Sequence, residues 1–167
     1  MRTITLFFVG LMASSTAFAQ VEDDFGFPVP IDLEVQRTLL SETFPEVDRN
    51  LTKIDGLRKY RRDLELYRIG KLEAYNEKIK RVCETLKTVE RRVNQSFASG
   101  DLSPNEQKNY NRRIASERDK CLVSKKGTSP YWALYDDFLQ FYRSESDASK
   151  EELDRCYIND DCREGRQ

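Results

Sequence analysis

The stretch GDLSPNEQ, residues 100–107, carries the signs of one helix ending and another beginning. Glycine ends a helix with little strain, and serine followed three positions later by glutamate forms a capping box. Proline suits the first helical position, where its missing N–H would be unpaired anyway. Gly100 therefore stops one helix, Ser103 caps the next, and Pro104 and Glu106 complete the start.

On the N-terminal side of this corner, Leu72, Tyr75, Ile79, Val82, Leu86, Val89 and Val93 recur at alternating spacings of three and four, with charged residues between them. That is the seam of a coiled coil. Leu57, Tyr60, Leu64 and Tyr67 keep the same rhythm in another register, and Gly70 falls near the phase break. The pattern predicts a long helix over about residues 57–97. If the chain folds back about residue 102, residues that face each other have numbers adding to about 204, as Cys83 and Cys121 do. Adjacent antiparallel helices bring suitable positions within the roughly 7 Å that a disulfide can bridge. The returning helix, about 104–122, has only Tyr110, Ile114, Cys121 and Leu122 as an apolar face, so a covalent staple compensates for sparse burial. The predicted unit is an antiparallel hairpin arm, about residues 57–122.

Beyond Gly127-Thr128-Ser129-Pro130, a third helix, about 130–143, carries Tyr131, Trp132, Leu134, Tyr135, Phe138, Leu139, Phe141 and Tyr142. It is apolar around most of its circumference and is expected to pack near Tyr60 to Tyr75. Any surplus of aromatic surface is free to meet a partner or a second copy. Ser149 to Glu152 reads as another capping box that opens a short last helix to about Tyr157, and Cys156 and Cys162 close a small loop, CYINDDC. Four cysteines admit three pairings, and we expect Cys83 with Cys121 and Cys156 with Cys162. Upstream, Asp32 caps a helix carrying Val35, Leu39, Leu40 and Phe44. Pro45 suits the start of another that continues through Val47, Leu51 and Ile54 towards Gly56.

Residues 1–19 carry a basic residue near the start, an apolar run from Ile4 to Met12, and Ala17-Phe18-Ala19. That is the form of a secretory signal peptide, too short in its apolar run to span a bilayer, and no later stretch is apolar enough to span one. Residues 20–30, QVEDDFGFPVP, form an extended arm in which Phe25 and Phe27 are candidate anchors on a partner. Residues 31–167 form a single helical domain. The expected class is all-α: a long, disulfide-stapled, coiled-coil-like hairpin on a small helical base. Export places the cysteines in an oxidising compartment, and the form of the signal suggests the periplasm, with secretion as the alternative.

The chain has no histidine, which removes His-based triads, His-ligated metals and the usual proton shuttle near neutral pH. The cysteines lack the paired spacing of a zinc cage. The acidic loop Asn159-Asp160-Asp161 lacks the ligand series of a calcium loop. No acid pair stands out for catalysis, so neither cofactor nor enzymatic role is expected.

Charge is unevenly spread. Residues 71–126 hold 14 basic and 8 acidic side chains, residues 20–70 hold 8 and 11, and residues 127–167 hold 5 and 10. Lys87, Arg91, Arg92, Lys108, Arg112 and Arg113 gather near the predicted tip and make it a candidate surface for an acidic envelope protein. Self-association between basic tip and acidic base is a further expectation. Nucleic acid is not an expected partner of an exported chain without aromatic interleaving, and the narrow seam does not suit a membrane surface. The string Arg118-Asp119-Lys120-Cys121 resembles part of the Arg-Asp-Cys motif of the small lysozyme-inhibitor family, although the spacing differs and the preceding tryptophan is absent. The resemblance implies a second reading, a periplasmic inhibitor of an envelope or foreign hydrolase.

Overall fold

The computed structural model describes residues 25–122, 129–159 and 162. The expected signal peptide, residues 20–24 of the arm, Gly127, Thr128 and the acidic residues Asp160 and Asp161 lie outside them. Among the described residues the chain is helical, without strands: α1 (Leu33–Glu42), α2 (Lys53–Tyr67), a π-helical turn (Arg68–Leu72), α3 (Glu73–Ala98), α4 (Pro104–Cys121) and α5 (Pro130–Asn159).

The spine is α2 and α3, joined without a break by the π turn. Tyr67 and Leu72 are five residues apart where a continuous seam needs four, so one residue must be absorbed. A π turn absorbs it, and the N–H of Glu73 donates to the carbonyl of Arg68. Both registers thereby bury the same face: Leu57, Tyr60, Leu64 and Tyr67 below the turn, and Leu72, Tyr75, Ile79, Leu86, Val89 and Val93 above it. Arg68 clamps the turn from outside, donating to Glu65 at 2.6 and 3.0 Å and to Glu73 at 2.8 Å.

At the corner, Gly100 takes φ +85°, a conformation glycine adopts at little cost. Ser103 Oγ accepts from the N–H of Glu106 at 3.3 Å, and Glu106 Oε2 accepts from the N–H of Ser103 at 2.9 Å, the reciprocal capping box. Cys83 and Cys121 are bonded, with Cα atoms 5.8 Å apart, and Arg118 pairs with Glu90 at 2.5 Å. Ile114 packs with Val89 and Val93. Partner numbers on α4 fall as those on α3 rise. The bridge closes a 38-residue separation, worth about 4 kcal/mol if it acts by restricting the unfolded chain.

The end of α4 is received by the start of α5: Ser129 Oγ donates to the carbonyl of Lys120, and Trp132 Nε1 to that of Cys121. Both satisfy carbonyls that a helix end leaves without partners. Running on from there, α5 descends beside the spine. The Tyr75 hydroxyl donates to the carbonyl of Tyr131 at 3.1 Å, Tyr142 to Glu65 at 2.8 Å, and Tyr60 to Glu145 at 2.7 Å. Lys53 pairs with Glu152 at 2.7 Å. Tyr131 and Leu134 are fully in the core, and Trp132, Tyr135, Phe138, Leu139 and Tyr142 pack against it. Cys156 and Cys162 are bonded and buried against Leu57, which ties the end of α5 to α2.

Three sequence expectations are corrected. The aromatic helix does not end near residue 143, and Ser149 does not cap a new one. Residues 144–149 contain no glycine or proline, α5 runs through them, and Ser149 is buried. Its Oγ donates to the carbonyl of Ser146 and accepts from Arg61. Pro45 does not start a helix: Thr52 caps α2, and its Oγ1 accepts from the N–H of Asp55. Gly56 lies buried inside α2, where an added Cβ would come within 3.1 Å of the Asp48 carbonyl. The loop before α2 needs that close approach. The expected cap Asp32 is in place, and its Oδ1 accepts from the N–H groups of Glu34 and Val35.

Candidate functional site

The predicted site residues meet at the corner between α3 and α4, but not all in the expected role. Phe25 and Phe27 were expected to anchor a separate partner. Instead they lie on their own chain. Phe25 is buried among Val89, Val93 and Ile114, with its ring edge-on to Tyr110 at 4.7 Å between centroids. Phe27 stacks on Tyr110 at 6.2 Å, and the guanidinium of Arg113 sits over its ring at 4.0 Å. The physical reason is the sparse apolar face of α4. Ile114 and Tyr110 cannot cover the upper seam of α3 alone, and the Phe25 ring completes that small core.

Arg92 donates from Nη1 to the carbonyl of Phe25 at 3.3 Å. Between the two phenylalanines, Gly26 takes φ +70°, and a Cβ there would meet Arg92 Nη1 at 3.3 Å. Residues 25–31 therefore form a strap fastened at two ends. At the far end the N–H of Ile31 donates to the buried hydroxyl of Tyr131 at 3.1 Å. In between, Val29 is 60% exposed.

The remaining predicted cations, Lys87, Arg91, Lys108 and Arg112, are exposed. Lys87 and Arg91 are one turn apart on α3, as are Lys108 and Arg112 on α4. Three acidic groups nearby are engaged elsewhere. Glu106 serves the capping box, Asp101 accepts from Ser99 Oγ, and Glu90 holds Arg118. The Glu106 carboxyl is held below the usual range by the Ser103 hydroxyl and then by its N–H. Of the string Arg118-Asp119-Lys120-Cys121, Arg118 and Lys120 pair with Glu90 and Glu117, and Cys121 forms the staple.

A second concave surface lies at the other end of the spine. Phe44, Pro45, Val47 and Phe141 line an open groove of about 400 Å³, with Tyr60, Glu145, Glu46 and Arg49 at its polar side. Burial raises the Tyr60 hydroxyl well above its ordinary pKa, and the bond to Glu145 adds to the shift. Such a phenol stays protonated and donating. Neither the strap docking nor this groove was read from the sequence. A signal for the first existed in the deficit of apolar cover on α4 beside two unassigned phenylalanines.

Among the described residues, no group of three Cys, Asp or Glu is placed to hold a metal, and no helix is long and apolar enough to cross a membrane. No family model, curated protein or solved structure matches the chain.

Proposed function

We propose that the chain is an exported, non-enzymatic interaction protein, an adaptor or assembly subunit of a cell-envelope structure, located in the periplasm. In this reading α3 and α4 act as a coiled-coil-like hairpin arm on the helical base formed by α1, α2 and α5. The arm presents its basic tip to an acidic envelope protein. One observation carries the reading: Lys87, Arg91, Lys108 and Arg112 stand exposed with no carboxylate in ion-pair range among the described residues, while Asp101 and Glu106 are committed to the corner and Glu90 to Arg118. A cluster of exposed cations of this kind attracts acidic surfaces, and salt screens the attraction. Two disulfides and no free cysteine support an oxidising compartment.

The test is crosslinking from Lys87 and Lys108 in the native envelope, compared with a variant carrying Lys87→Glu, Arg91→Glu, Lys108→Glu and Arg112→Glu. The expected result is capture of one acidic envelope protein, weakened by added salt and lost in the variant. If the variant captures the same neighbours, the tip is not the binding surface. A salt-insensitive one-to-one complex of the monomer with a single hydrolase would favour the inhibitor reading.

A further inference from the structure

The groove on α3 and α4 that holds residues 25–31 is fitted to that segment. Phe25 fills a pocket of Val89, Val93, Ile114 and Tyr110, and Phe27 stacks on Tyr110 with the Arg113 guanidinium over its ring. Arg92 reads the Phe25 carbonyl, and the backbone at residue 26 passes close enough to Arg92 that glycine fits best. Aromatic pocket, stacked platform, carbonyl donor and close backbone passage together make a recognition site for an extended Phe-Gly-Phe-Pro peptide.

We propose that this groove is an exchange site, which takes the strap of a second copy of this chain in place of its own. The strap is held through side chains at its ends and not along its length. Pro28 and Pro30 have no N–H to donate, and Val29 between them is exposed. Releasing Phe25 and Phe27 breaks no hydrogen bond within a helix, and it uncovers Val89, Val93 and Ile114 until a strap covers them again, which makes it a local opening and not a global one. A second copy's strap would remake each contact, so the difference between the two states is chiefly one of effective concentration. That is the condition under which identical elements trade places. The segment from Pro28 to Pro30 is the hinge. Its prolines favour extension by roughly 3.1 Å per residue, so a released strap reaches outward from Ile31 and does not coil back.

Arg92 and Arg113 rim the groove, with Arg91 and Arg112 next to them in sequence. The inference rests on reading the tip as an interaction surface, but it does not require a separate acidic partner.

The test uses the intact chain with p-benzoylphenylalanine in place of Phe27, prepared in light and ¹⁵N-labelled forms, mixed one to one and irradiated over a range of concentrations. Mass spectrometry then reads the isotope composition of crosslinks from position 27 to the peptide containing Tyr110. Exchange predicts mixed-isotope crosslinks that rise with concentration towards about half of the total. It also predicts, for the unmodified chain, a concentration-dependent dimer in sedimentation that Phe25→Ala abolishes. Same-isotope crosslinks alone at every concentration, with a sedimenting monomer throughout, would overturn the proposal. The charge-reversal variant is read separately by capture of an acidic protein, so failure of exchange and failure of the acidic-partner reading give different results.

Discussion

The hydroxyl of Tyr67 is buried with no protein partner among the described residues, and burial alone pushes its pKa up to about 12. Tyr131, equally buried, uses its hydroxyl to accept the N–H of Ile31. The two tyrosines should respond oppositely to loss of one oxygen. Tyr67→Phe removes a polar atom that packing has stripped of water, and should raise stability by about 1 kcal/mol. Tyr131→Phe leaves a backbone donor unmet in the core and should lower stability by about 1–3 kcal/mol. Urea unfolding of both variants decides the matter, and equal effects would contradict this account. Glu65 offers a pH test at the same scale. The Arg68 guanidinium, followed by the Tyr142 hydroxyl, holds its carboxyl down at about 2. A carboxyl whose folded pKa lies below its unfolded value of about 4.3 contributes its stabilisation in full above that value. The contribution is lost as pH falls towards about 2. Glu65→Gln should therefore lower the thermal midpoint at neutral pH and flatten its decline between about pH 4.5 and 2. Because the group is exposed, the effect should also shrink in high salt. A variant whose acid limb matches that of the parent would show that the Arg68 clamp contributes nothing.

At the scale of elements, the π turn has a cause that the sequence displays. Two seams of the same period are offset by one residue, and Gly70 sits in the offset with nothing within 4 Å of where its Cβ would be. Deleting Gly70 restores a four-residue step from Tyr67 to Leu72, so α2 and α3 should join as one α-helix with both seams still buried. The expected outcome is a folded variant with unchanged helicity and an equal or higher thermal midpoint by circular dichroism. Loss of cooperative unfolding would mean that the π turn carries a conformational requirement of its own. The turn was half legible: the phase break could be seen, but the helical form that absorbs it could not. Elements governed by local chemistry were legible, among them the Gly100 stop, the Ser103 box, the Asp32 cap and the 83–121 pairing, since each depends on a few neighbouring residues or a simple register. What escaped was decided by distant contacts. Ser149 looks like a cap, but Arg61 of α2 and the unbroken helix around it give it another role. Phe25 and Phe27 look like a free arm because the space they fill exists only once α4 lies on α3.

The whole molecule follows from how little each helix can bury. The chain ascends once through α2 and α3 and descends through α4 and α5 in tandem, α4 beside the upper half of the spine and α5 beside the lower. Residues 25–42 run alongside as strap and α1. At about 1.5 Å per residue, the spine from Lys53 to Ala98 is roughly 69 Å long. Apart from the first half of α5, which is apolar around most of its circumference, each helix offers a single stripe, and the core is divided into three clusters along the axis. A compact domain of this length has a radius of gyration of about 15 Å, whereas an unbent spine alone demands about 20 Å. Small-angle X-ray scattering should return the larger value, with a maximum dimension of at least about 70 Å. It should do so equally at high salt, since the length is set by helical backbone and not by repulsion along the basic tip. A radius near 15 Å would mean that the spine folds back at the π turn. That would bring the strapped tip beside the groove at Tyr60 and Glu145, and so remove the separation between basic and acidic ends on which a presenting arm depends.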